Sequence, residues 1–68
     1  MQPGDFVLVR VFGNKELIRR VVALKKDCVL ICTNEEYERA ISEGREPISV
    51  GFKYEDILGK MQPKTQEK

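Results

Sequence analysis

The run Phe6-Val7-Leu8-Val9-Arg10-Val11-Phe12 carries apolar side chains on both faces of a strand, and this restricts the fold more than any other feature. Successive strand residues point to opposite sides. Val7, Val9 and Val11 therefore face one way, and Phe6, Leu8 and Phe12 the other. A flat two-layer sheet would leave one of these rows in water. The run Cys28-Val29-Leu30-Ile31-Cys32 poses the same problem. Covering both rows requires a strongly bent sheet, or a helix lying over part of one face.

Turn residues divide the rest of the chain into short pieces. Pro3-Gly4-Asp5 is a turn-forming lead-in. Gly13-Asn14-Lys15-Glu16 is a polar connector of hairpin length, and Leu17–Leu24 reads as a second strand. Lys25-Lys26-Asp27 turns the chain into a third strand, Cys28–Thr33. The adjacent Arg19 and Arg20 interrupt the alternation of the second strand and predict a bulge or an edge position there.

The period then changes. Thr33-Asn34-Glu35-Glu36 matches a capping box, and Tyr37, Ala40 and Ile41 share one helical face. Glu35, Glu36 and Glu38 favour the positive end of a helix dipole, and Gly44 sits where a C′ glycine ends a helix. Pro47 breaks the chain before a fourth strand, Ile48–Phe52. Lys53-Tyr54-Glu55-Asp56 reads as a tight or 3₁₀ turn, and Ile57–Met61 as a fifth strand. From Gln62 the residues are polar and aperiodic, so 62–68 is expected to be a flexible tail.

These elements predict one mainly β domain over residues 3–61. Its expected form is a five-stranded SH3-like or partly open small barrel with one short helix between strands 3 and 4. Closure of the ribbons is expected to seal the interior and leave no reactive pocket. A chain of 68 residues hides only roughly 60% of its unfolded surface, so the core is small.

Twelve Lys and Arg against eleven Asp and Glu leave a net charge of +1, against the large basic excess of a dedicated nucleic-acid protein. The chain has no His, the commonest catalytic base and metal ligand, so neither a metal nor a cofactor is expected. Cys28 and Cys32 are four apart on one strand, which separates their Cα atoms by roughly 13 Å, beyond disulfide reach. Two reduced thiols predict a cytoplasmic protein. No signal-like amino terminus is visible, and no apolar stretch approaches the ~20 residues of a membrane span.

Gly4-Asp5-Phe6-Val7-Leu8-Val9, then Leu17-Ile18-Arg19-Arg20-Val21-Val22-Ala23-Leu24 and a turn ending in Asp27, resembles the β-core of the Ser-Lys peptidase clan. That clan includes the LexA-type repressors and the signal peptidases. Val50-Gly51-Phe52 through Ile57-Leu58-Gly59 is similar to their closing strands. The resemblance implies the scaffold without its chemistry. A serine upstream of the Gly-Asp strand has only Met1–Pro3 to occupy, and Arg19 stands where the general-base lysine would be. Arginine keeps its proton (pKa above about 12), so it is no base. Ser42 and Ser49 fall outside the motif. The strand plan equally resembles the SH3-like small barrels, mostly binding modules. No enzymatic activity is expected.

Charge is unevenly placed. Residues 1–26 carry a net +4, residues 27–59 a net −5 and residues 60–68 a net +2. Arg10, Lys15, Arg19, Arg20, Lys25 and Lys26 are candidates for one basic patch across the first hairpin, fit for RNA phosphates. Arg45, in the Gly44-Arg45-Glu46-Pro47 loop, and Tyr54, in a polar turn, complete the candidate binding surface. Phe6, Phe12, Phe52 and Tyr37 are expected in the core and Tyr54 at the surface. The expected function is protein–protein interaction, with an unidentified partner or through self-association. Weak RNA binding and a non-catalytic peptidase remnant are the alternatives.

Overall fold

The structure, a computed structural model, describes residues 1–61. The expected tail lies outside the described residues. The described residues form five strands: β1 (Phe6–Val11), β2 (Lys15–Leu24), β3 (Val29–Cys32), β4 (Val50–Phe52) and β5 (Ile57–Met61). One helix, α1 (Asn34–Glu43), stands between β3 and β4, and 3₁₀ turns at Phe12–Asn14 and Tyr54–Asp56 precede β2 and β5. All pairings are antiparallel, in the order β4-β3-β2-β1-β5.

The fold is mainly β, with its helix where the capping signals put it. Thr33 Oγ1 accepts the Glu36 N–H at 3.1 Å. At the other end Gly44 is left-handed (φ 71°), and Gly44 and Arg45 donate backbone N–H groups to Ile41 and Ala40. The sheet does not close into a barrel: β4 and β5 are its two edges. Strand β4 is only three residues long, and all three pair with β3. It starts at Val50 rather than Ile48 because the Ile48 N–H goes to the Glu36 carboxylate instead of a neighbouring strand.

The core lies on the concave row. Val7 and Val9 of β1, Val21 of β2, and Val29 and Ile31 of β3 are fully buried there. Val9 sits opposite Leu17 and Ile57, Val21 opposite Ile31, and Val29 opposite Phe52, so one apolar layer runs across the sheet. Each buried Val or Ile contributes about 1.5–3 kcal/mol relative to exposure.

The opposite row is covered by α1 at one end. Phe6 pairs with Arg20 and Met61, Arg20 pairs with Cys32, and Tyr37 of the helix lies against Arg20. The helix inserts Ala40, which is fully buried.

Three expectations need correction. Arg19 and Arg20 lie on a central strand with regular pairing to β1, and the bulge of β2 falls between Val21 and Ala23. Two adjacent arginines fit there because they face opposite sides of the sheet. Ile41 is 64% exposed: the helix turns its Tyr37–Ala40 side inward, and Ile41 stays in water. Phe12 is 99% exposed, because β1 ends at Val11 and the 3₁₀ turn carries Phe12 off the sheet.

Candidate functional site

The open edge leaves an apolar trough of about 420 Å³ on the concave face. Its floor is Val9 and Val11 of β1, Leu17 of β2 and Ile31 of β3. Val50 and Phe52 of β4 form one wall together with Ile48, which precedes the strand. Ile48 is 76% and Val50 58% exposed, so this wall is apolar surface facing water. The interior is therefore not sealed among the described residues, contrary to the sequence reading, because no described strand pairs β4 to β5.

The polar rim is Cys32, Thr33, Glu36 and Arg19. Glu36 is fully engaged. Arg45 Nη1 donates to its Oε2 at 2.6 Å, Arg45 Nη2 to its Oε1 at 3.4 Å, and the Ile48 N–H to Oε2 at 2.9 Å. The bonds from Arg45, then that from Ile48, pull the carboxyl down to about 2 from its ordinary 4.5. Arg45 Nε also binds Glu43 Oε1 at 2.7 Å, and Nη1 reaches the Glu46 carbonyl at 3.3 Å. This set of bonds fastens the Gly44–Ile48 connection to the first turn of α1 and fixes the wall of the trough. Burial raises the pKa of Cys32, with the Glu36 charge adding to the effect.

The basic candidates are not brought together. Arg20 is only 17% exposed. Its Nε and Nη2 donate to the Gly4 carbonyl at 3.2 and 2.9 Å, and its Nη1 to Asn34 Oδ1 at 3.0 Å. Its guanidinium lies between the Phe6 ring (4.5 Å) and the Tyr37 ring (4.0 Å). It is a clamp joining the amino-terminal turn, β2 and α1. Arg10 pairs with Asp56 at 3.8 Å. Lys15 opens β2 while Lys25 and Lys26 follow its far end, roughly 30 Å along the strand. Arg19 and Arg20 occupy opposite faces. Tyr54 is exposed, as expected, and its hydroxyl donates to the Lys25 carbonyl at 2.6 Å. That bond ties the β2–β3 turn to the 3₁₀ turn before β5. Arg45, a candidate for the binding surface, is committed to Glu36 and Glu43.

Among the described residues, no group of three or more His, Cys, Asp or Glu side chains is placed to hold a metal ion, and no helix is long and apolar enough to cross a membrane. Sequence reasoning named only Arg19 among the residues of the trough. The available signal was Ile48 and Val50, two apart after Pro47, with no apolar partner in sequence to cover them.

Fold and site together describe a five-stranded antiparallel sheet, open at β4, with an apolar trough beside that edge. No family model matches the chain, and neither the curated proteins nor the solved structures contain a match to it.

Proposed function

We propose that the chain is a small non-catalytic interaction module that binds another polypeptide in the trough beside β4. One observation carries this reading: Ile48 and Val50 stand largely exposed at the wall of a concave apolar site of about 420 Å³. That volume lies in the range of ligand sites, and concave apolar surface with a polar rim is a usual mark of a binding face. The Arg45–Glu36 bonds support it further, since they hold the wall in place before any partner arrives. In this reading the module works in the cytoplasm, where Cys28 and Cys32 stay reduced.

The test is a random peptide library panned against the intact chain, followed by titration of enriched peptides into isotope-labelled protein. Amide shifts at Val9, Leu17, Ile31, Val50 and Phe52, lost in Val50→Glu, are the expected result. Val50→Glu should fold normally, because the side chain is already more exposed than buried. Shifts confined to the Phe12–Lys15 end or to the α1 surface would overturn the reading, as would equal binding by Val50→Glu.

A further inference from the structure

The chemistry of the trough narrows the partner further. Resting on the reading above, we infer that the occupant is an extended peptide segment that pairs with the free edge of β4, drops apolar side chains into the trough and sets an acidic side chain on Arg19.

The two sheet edges are not equivalent. Strand β5 carries Lys60, whose Nζ lies 3.8 Å from Asp5 Oδ2, and a charge of this kind discourages pairing with a foreign strand. Strand β4 is Val50-Gly51-Phe52, with no charge; it is bonded on one side to β3, and among the described residues no strand pairs with its other side. Its side chains alternate: Val50 and Phe52 line the trough, while Gly51 turns to the opposite face, over Cys28. A strand added beside β4 would alternate in the same way, so every second side chain of the peptide would meet the trough.

Charge decides which peptide fits. Two opposite charges line the trough, but only one of them is compensated. The Glu36 carboxylate is neutralised by Arg45 and by the Ile48 N–H. Arg19 donates its Nη1 to the Ile18 carbonyl at 2.9 Å and, among the described residues, has no carboxylate within ion-pairing distance. Arg19 is a partly buried residue beside apolar side chains, and its planar guanidinium fork suits a carboxylate of the ligand.

The experiment pans a random octapeptide library on the intact chain and measures the selected peptides by fluorescence anisotropy. Expected sequences hold apolar residues two apart with Asp or Glu nearby. Changing that acid to its amide in the peptide should weaken binding about tenfold, the size of one charged hydrogen bond. Arg19→Gln should cost the same factor, and the two changes together no more than either alone. Selected peptides that need Val50 but are indifferent to Arg19→Gln and to loss of their acid would overturn this inference and leave the interaction module standing. Peptides indifferent to Val50→Glu would overturn both. Sedimentation showing a dimer of the chain that Val50→Glu dissociates, with no peptide selected, would make the occupant a second copy and likewise overturn the inference.

Discussion

Replacing Arg20 by alanine removes a side chain that ties three parts of the molecule together. Its Nε and Nη2 share the Gly4 carbonyl, which carries the amino-terminal turn. A hydrogen bond from a charged donor is worth about 1.5–3 kcal/mol net when its partner is partly buried. Stacking on the Phe6 and Tyr37 rings, at 4.5 and 4.0 Å, adds about 0.5–1 kcal/mol for each ring. The ion pair with Glu38 at 3.9 Å adds little, because that carboxylate is exposed. Water reaching Gly4 in the variant offsets part of the loss. The expected net cost is about 2–3 kcal/mol.

A domain of this size has a total stability of only ~3–10 kcal/mol at typical per-residue values. The loss therefore corresponds to a fall in melting temperature of roughly 10–20 °C. The assay is urea unfolding followed by circular dichroism, checked by Tyr fluorescence, since the chain has no Trp. Arg20→Lys keeps the charge and much of the stem but cannot fork onto one carbonyl while lying flat between two rings. It should recover less than half of the loss. If Arg20→Ala unfolds within about 0.5 kcal/mol of the parent, the range of an ordinary surface change, the clamp contributes nothing and the reasoning is wrong.

Three further outcomes are expected. Phe12→Ser should change stability by less than about 0.5 kcal/mol, whereas a core Phe truncated to Ala costs about 3–5; urea midpoints decide between them. Glu36→Gln should lower stability at neutral pH and flatten the acid limb. The Glu36 carboxyl is depressed from 4.5 to about 2, so its contribution is complete above pH 4.5 and disappears as the pH falls towards 2. A parent and variant whose unfolding midpoints fall in parallel over that window would contradict the Arg45–Glu36 assignment. Gly44→Ala should cost about 1 kcal/mol, because the residue must stay left-handed at φ 71° while nothing nearby clashes with a new Cβ. Unfolding curves that coincide with the parent would show that the helix end relaxes instead.

The parts of the fold legible in the sequence are those set by local chemistry. Thr33 and Gly44 bound the helix because they satisfy backbone groups within a few residues of themselves, whereas the Glu36 carboxylate of the capping box goes instead to Arg45 and to the Ile48 N–H. The last strand, Ile57–Met61, and the 3₁₀ turn before it were readable for the same reason. Side chains that act across the chain were not. Arg20 reads as one more hairpin cation, since nothing within four residues announces that Gly4, Phe6 and Tyr37 converge on it. Arg45 reads as a candidate binding residue until Glu36, nine residues earlier, is seen to hold it. Phe12 reads as core because a strand pattern gives no sign of where the strand stops.

The trough follows from a conflict between two such levels. Locally, Ile48-Ser49-Val50-Gly51-Phe52 alternates like a strand that could extend the sheet. The Glu36 carboxylate takes the Ile48 N–H, and β4 is only three residues long. Ile48 and Val50 are left 76% and 58% exposed at that short strand. A chain optimised only for stability would have covered Ile48 and Val50, since leaving such side chains in water forgoes about 1.5–3 kcal/mol each when fully exposed. An exposed apolar wall held rigid by a committed ion pair, beside an uncharged strand edge, is what an acidic apolar peptide would need to find already formed.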